Sequence, residues 1–252
     1  MSIAIITGAS SGLGRAFCLA LKAQRRDISE YWLIARRPER LKELSLLLRP
    51  VKVRIFPLDL TLWQSLEAVR NALDKEQPEV ALLINNAGFG LLGQVWELSP
   101  TRQRDMVSLN CGAVTALTPI ALNHMHKGAA VLNVSSIASF APTPRMSVYC
   151  ATKSYVTAYT RSLRSELKKR GIHALALCPG PMNTEFLPNA GITGQSKTFD
   201  RLPKLNPDKV ARAALKAAFR GRAVYTPGAF YRLYRLVAKV LPQGLTMTFT
   251  KT

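Results

Sequence analysis

The 252 residues predict a single α/β domain built on a doubly wound, seven-stranded parallel sheet with helices on both faces. Two observations lead there. Seven short apolar runs alternate with amphipathic stretches almost to the end of the chain, and a glycine-rich turn joins the first run to the first amphipathic stretch. The runs are β-branched or aliphatic throughout rather than alternating with polar residues, as expected of strands covered on both faces. Repeated strand–helix alternation implies right-handed crossovers and hence a parallel sheet. Seven such units use nearly the whole chain, so residues 1–252 read as one domain.

Ile3–Thr7 is the first expected strand and Leu13–Ala23 the helix that follows it. Tyr31–Ala35 and Val51–Pro57 flank a helix at Leu41–Leu47. Helix Leu62–Lys75 leads to strand Val80–Ile84, and the long helix Arg102–His124 leads to Ala129–Val134. Helix Val148–Arg170 precedes strand His173–Cys178, and helix Pro207–Phe219 precedes the short strand Ala223–Thr226. Two segments break this rhythm. Pro179–Asn206 is rich in Pro, Gly, Asn and Thr with scattered apolar residues (Phe186, Leu187, Ile192, Phe199), and a connection this long reads as a lid, here over 182–206. The second is a basic C-terminal extension, 227–252.

Composition narrows the classes. Apolar residues make up 48% and charged residues 20%, which excludes a disordered or fibrous chain. A chain this long buries roughly 70–75% of its unfolded surface and needs no disulfide or metal staple. Four scattered cysteines form no CxxC, so reduced thiols and a cytoplasmic location are expected. The three histidines lack zinc spacing, and no metal is expected. Only Met1 and Ser2 precede the first apolar run, leaving no room for a signal peptide, and no uninterrupted apolar run reaches the ~18 residues of a membrane span. Against 35 Lys+Arg stand 15 Asp+Glu, a net charge of +20. That excess suits an anionic partner, a membrane surface or an anionic cofactor.

Function begins at Thr7-Gly8-Ala9-Ser10-Ser11-Gly12-Leu13-Gly14, between the first strand and the first helix. Glycines there permit a tight turn, close backbone approach to a pyrophosphate and close helix–strand packing. The helix N-terminus offers free N–H groups and a positive dipole end to the same anion. The spacing, G-x-x-x-G-x-G, resembles that of the short-chain dehydrogenase/reductase family, Rossmann-type dinucleotide-binding enzymes. The resemblance recurs in order. Asp59-Leu60 follows the third strand, Asn85-Asn86-Ala87-Gly88 the fourth, and Asn110 lies in the long helix. Ser135-Ser136 follows the fifth strand, Tyr149-Cys150-Ala151-Thr152-Lys153 opens the next helix, and Pro179-Gly180-Pro181-Met182-Asn183-Thr184 follows the sixth.

The resemblance implies a nicotinamide cofactor held by Gly8, Ser10, Ser11, Gly12, Leu13 and Gly14. It also implies Asp59 with Leu60 at the adenine, and Asn86, Ala87 and Gly88 at the adenosine ribose. Pro179, Gly180, Met182 and Thr184 are implied near the nicotinamide carboxamide. At the end of the second strand an acidic residue would bind the ribose hydroxyls and repel a 2′-phosphate. This chain instead reads Ala35-Arg36-Arg37, with Glu39 one turn too late to serve the ribose. Two guanidinium groups match a phosphate, so NADP(H) is the expected cofactor.

Tyr149 and Lys153 are four apart on a helix and share one face. A nearby ammonium is expected to lower the pKa of a tyrosine from about 10, which suits proton exchange with a carbonyl oxygen. Lys153 is also expected to hold the nicotinamide ribose. Ser136, at a strand's C-terminal end, can orient the substrate oxygen, while Ser135 should point elsewhere by alternation. Asn110 resembles the family residue that positions the lysine through water. Cys150 reads as small apolar filler.

From residue 197 onward, twelve basic residues face only Asp200 and Asp208. Within this stretch Phe230–Leu241 is helical, apolar and basic, and Pro242 stops it. Such a helix could lie in an anionic membrane interface, pack on a neighbouring subunit, or cover the substrate pocket. The expected function is an NADP(H)-dependent oxidoreductase that interconverts a ketone and a secondary alcohol on an apolar substrate, such as a hydroxysteroid, a 3-oxoacyl chain or an aromatic ketone. The expected assembly is a homodimer or homotetramer, with no specific nucleic acid. The rival reading is a dinucleotide-fold binding protein attached to nucleic acid or membrane through its basic surface. The Asn110/Ser136/Tyr149/Lys153 set argues against it.

Overall fold

In the computed structural model the described residues are 1–25, 27–194, 196 and 200–249. Phe199 of the expected lid and Lys197 and Lys251 of the basic segment lie outside them.

Seven strands form one sheet in the order β3-β2-β1-β4-β5-β6-β7, with every neighbouring pair parallel. They are β1 (Ser2–Thr7), β2 (Glu30–Ala35), β3 (Lys52–Pro57), β4 (Glu79–Asn85), β5 (Ala130–Val134), β6 (His173–Leu177) and β7 (Val224–Tyr225). Each expected strand is present, although the last shrinks to two residues at the sheet edge. The order reverses beside β1, so a crevice opens outside the carboxyl ends of β1 and β4. Register keeps those ends level. Thr7 lies opposite Ile34, Ile6 opposite Ile84 and Asn85 opposite Asn133. Every motif that follows a strand is thereby brought to one edge of the sheet.

The unbroken apolar character of the strands is explained by two cores. Ala4, Ile6, Leu33 and Ile84 pack on one face, under α1 (Gly12–Gln24), α2 (Pro38–Leu48) and α8 (Pro207–Phe219). Ile3, Ile5, Ile34 and Leu83 pack on the other, under α3 (Trp63–Glu76), α5 (Val114–Leu122) and α6 (Ser147–Leu167). Between β4 and β5 a buried polar chain is fully partnered. Asn85 Nδ2 donates to Asn133 Oδ1 (2.8 Å) and to Thr118 Oγ1 (3.1 Å), and Asn133 Nδ2 donates to Thr160 Oγ1 (2.9 Å).

The long helix expected at Arg102–His124 starts two residues earlier, because Ser99 caps it by accepting from Arg102 N and Pro100 suits the first turn. It is not one regular helix. α4 (Pro100–Val107) passes into a π-helical turn, Ser108–Ala113, before α5 resumes. The combined stretch Pro100–Leu122 is long and apolar enough by composition to cross a membrane. Its Ala113, Leu117, Ile120 and Ala121 are instead buried against the sheet. α6 ends in a 3₁₀ turn closed by Gly171 at φ 66°, the left-handed stop that glycine adopts freely. The lid contains α7 (Phe186–Asn189), and the C-terminal extension forms α9 (Ala229–Val240) and α10 (Gln243–Phe249).

Candidate active site

The crevice is floored by the glycine turn. Gly8 has φ 65° and Gly12 φ 50°, and a Cβ on Gly14 would sit 2.1 Å from the Gly8 carbonyl oxygen. No side chain fits at Gly14, because the first turn of α1 rests directly on the loop. Gly14→Ala is therefore expected to lower the melting temperature and remove nucleotide binding, since overpacking costs about 1–3 kcal/mol even where the surroundings yield. Unchanged melting and binding would show that the turn relaxes freely. Ser11 at the N-cap makes no side-chain bond to α1. The first amides of the helix stay free for an anion, at the positive end of its dipole. Thr7 Oγ1 accepts from Asn86 N and Ala87 N (both 2.9 Å), and Asn86 Nδ2 donates to Thr7 O (3.0 Å). These bonds stitch the ends of β1 and β4 together beneath the crevice.

The resulting cavity holds about 970 Å³. Its walls include Gly8, Ser10, Ser11, Gly12, Leu13, Arg36, Arg37, Asp59, Leu60, Asn86, Ala87 and Gly88. Ser136, Tyr149, Lys153, Pro179, Gly180, Met182 and Thr184 complete the wall. Of the expected site residues, only Gly14 and Asn110 stand behind the wall. Asp59 Oδ1 accepts from Thr61 N (3.0 Å) and Thr61 Oγ1 (2.8 Å), which fixes the carboxylate. An open helix terminus, a turn in which Gly14 cannot take a Cβ and guanidiniums at the end of β2 fit a phosphorylated dinucleotide.

Tyr149 and Lys153 project from the first turns of α6 and are almost fully buried, at 7% and 5% exposure. Lys153 Nζ donates to Val134 O (2.9 Å) and lies 5.7 Å from the centre of the Tyr149 ring. Ser136 Oγ accepts from Ala138 N (3.1 Å) and faces the cavity. Ser135 is turned into α6, where its hydroxyl donates to Lys153 O (2.8 Å) and pairs with Thr157 Oγ1 (2.7 Å). Asn110 occupies the π-helical turn, a distortion often found where a helix serves a site. Its Oδ1 accepts from Phe89 N (3.1 Å), and its Nδ2 donates to Phe89 O (2.9 Å) and Thr152 Oγ1 (3.1 Å). It thus clamps the loop after β4 to α6, and a Cβ on Gly88 would meet both Asn110 Oδ1 (2.8 Å) and Lys153 Nζ (3.4 Å). No direct hydrogen bond joins Asn110 to Lys153 among the described residues.

The electrostatics differ from the sequence expectation. Burial raises the Tyr149 phenol well above its ordinary range, with the Ser136 hydrogen bond pulling the other way. Burial also lowers the Lys153 ammonium to about 8. The ammonium was expected to acidify the phenol, but in a dry pocket the neutral form of each group is favoured and desolvation wins. At neutral pH the site therefore holds a protonated phenol beside an ammonium close to its titration point.

Sequence reasoning missed Glu185 and Arg40 as a pair. Arg37 Nη2 donates to Glu185 Oε2 (2.9 Å) and to Ser10 Oγ (3.3 Å), and Arg40 pairs with the other Glu185 oxygen. Arg40 and Arg37 hold the Glu185 carboxyl below the usual range. The lid is thereby latched to the start of α2 across the cavity, while Arg36 has no side-chain partner among the described residues. No spacing rule links positions this far apart. Phe186 lies 5.6 Å from Tyr149, ring to ring. Tyr231 of α9 was also missed: a Cβ on Gly180 would lie 2.3 Å from its ring, and its hydroxyl donates to Pro203 O (2.6 Å). Gly180 is thus required by the C-terminal extension, whose inner face lines the cavity.

The family model for short chain dehydrogenase matches residues 2–193. The chain belongs to that family. Among solved structures, a short-chain dehydrogenase from Sphingobium yanoikuyae in complex with NADPH superposes with a TM-score of 0.81 at 30% identity, covering 98% of this chain and 95% of that one. The bulky-bulky ketone specific alcohol dehydrogenase of Comamonas testosteroni gives 0.76 at 26% identity, over 98% and 94%. A probable oxidoreductase of Mycobacterium tuberculosis, EphD, is 29% identical over 265 residues, with 96% of this chain but 44% of the relative covered. The chain thus spans less than half the length of that relative.

Proposed function

We propose that this short-chain dehydrogenase interconverts a ketone and a secondary alcohol on an apolar substrate, with NADP(H) as cofactor. Hydroxysteroids, 3-oxoacyl chains and aromatic ketones are the substrate classes. The observation that carries the reading is the convergence of Ser136, Tyr149 and Lys153 in the cavity floored by the glycine turn. Tyr149 holds its proton because burial disfavours the phenolate, and it donates that proton to the carbonyl oxygen. Ser136 donates a hydrogen bond to the same oxygen and fixes its position. Lys153 keeps an ammonium beside the phenol that supports the negative charge left there. When bound, the nicotinamide supplies or accepts the hydride. Leu187 and Ile192 of the lid, with Phe230 and Tyr234 of α9, make the substrate end largely apolar. A panel of carbonyl compounds followed by NADPH absorbance tests the reading, and silence across steroids, acyl ketones and aromatic ketones would defeat it. Self-association as a homodimer or homotetramer belongs to the same reading.

Support for NADP(H) comes from Arg36 and Arg37 just past the end of β2, a turn that carries no carboxylate of its own. NADPH should be used far more efficiently than NADH, and Arg36→Asp should move preference toward NADH. Equal efficiency in the parent would sink the assignment. The latch adds a second test, because Glu185 competes with a 2′-phosphate for Arg37. Glu185→Gln is expected to tighten NADPH binding by about two- to fivefold, the order of one exposed ion pair, and to leave NADH binding unchanged. Equal dissociation constants in parent and variant would show that the two anions do not share the arginine.

A further inference from the structure

We propose that α9, with the start of α10, seats this protein on an anionic phospholipid surface. Helix α9 has three faces. Tyr231, Tyr234 and Ala238 turn toward the cavity. Arg232, Arg235 and Lys239 form a basic face. Phe230, Leu233, Leu236, Val237 and Val240 form the third, over roughly a third of the circumference at helical spacing. All five are exposed, from 41% at Val237 to 82% at Val240. Leu245 of α10 is exposed as well. A contiguous apolar stripe on an amphipathic helix marks an interaction surface, since water alone would not favour it.

The helix is held rigidly enough to present that stripe. Tyr231 is locked under Gly180, the Tyr234 ring lies 6.4 Å from that of Phe140, and the Arg235 guanidinium lies 5.8 Å from the same Phe140 ring. Charge decides the occupant. No Asp or Glu follows Asp208 in the chain, so the stripe is bordered by cations with no acid on its own helix. A second copy docking there by two-fold symmetry would bring Arg232 and Lys239 toward their own counterparts with nothing to neutralise them. Anionic headgroups neutralise them while the stripe enters the acyl boundary. Phe230 and Val237 belong to the stripe and also to the cavity wall. On the substrate reading above, an apolar ketone could pass from the bilayer to Tyr149 without crossing bulk water.

The test is co-sedimentation of the full chain with phosphatidylcholine vesicles, with and without phosphatidylglycerol, and needs no turnover. The parent should pellet with the anionic vesicles and be released by salt. Leu233→Asp with Leu236→Asp, and separately Arg232→Glu with Lys239→Glu, should each weaken partitioning by at least about tenfold. None of these residues lines the cavity, so circular dichroism and NADPH binding confirm that the variants fold. Absence of the parent from the pellet, or equal partitioning by both variants, overturns the proposal. So does a parent that ignores vesicles while Leu236→Asp halves its mass in light scattering, which would assign the stripe to a second copy. Loss of vesicle binding with full NADPH-dependent turnover would leave the enzyme reading standing, so the two claims fail separately.

Discussion

Tyr149→Phe is expected to lower ketone reduction by about 10³-fold while NADPH binds as before. The phenol hydroxyl is the general acid of the proposed reaction, and positioned general acids contribute typically about 10²–10⁴ in rate. The ring itself is buried beside Phe186 and above Gly90, so phenylalanine keeps that packing. The variant should therefore fold and melt like the parent. Two readouts check the prediction: kcat for an aromatic ketone, and NADPH affinity by fluorescence. Turnover within about tenfold of the parent would remove the phenol from the reaction, because a true general acid is not lost so cheaply.

Lys153→Met separates catalysis from stability. The side chain is buried, and its ammonium is pulled from 10.5 to about 8 by desolvation. The folded protein therefore sheds this proton first. Between about pH 8 and 10.5 the unfolded chain binds more protons than the native one, so this residue's contribution to stability rises with pH across that window. Activity moves the opposite way, because loss of the ammonium above about pH 8 leaves the departing proton's charge on Tyr149 unsupported. Methionine removes the charge and retains the packing. We expect at least about a 10²-fold loss in kcat, no loss in melting temperature at neutral pH, and disappearance of the alkaline decline from whatever activity survives. A variant that melts clearly lower would mean the buried ammonium is net stabilising where it stands. One that retains the parent's pH–rate profile would assign the alkaline limb to another group.

The sheet was readable because its central strands are buried on both faces, as Ile3 and Ile5 against one core and Ala4 and Ile6 against the other show. A double burial leaves an unbroken apolar run that no surface strand carries. The glycine turn was readable for an equally local reason, that Gly14 has no room for a Cβ. What local pattern cannot carry is the balance of fields in a pocket closed by distant segments. The Tyr149 expectation failed on that point: the i, i+4 spacing showed its neighbour, but not the dry walls that outweigh it. Glu185 and Arg37 meet only because the lid folds back across β2. The π-helical turn at Asn110 similarly depends on Phe89 and Thr152, which the sequence places far from the helix. For α9 the sequence showed an apolar and basic helix and left open what it covers, and Tyr231 under Gly180 established which face looks inward.

Deuterium transfer from NADPH labelled at the reactive nicotinamide carbon tests the chemistry most directly. The expected result is one deuterium on the carbinol carbon of each alcohol formed from an apolar ketone, none exchanged with water, and loss of that product in Tyr149→Phe. Label released to solvent, or alcohol formed equally well without the phenol, would contradict it.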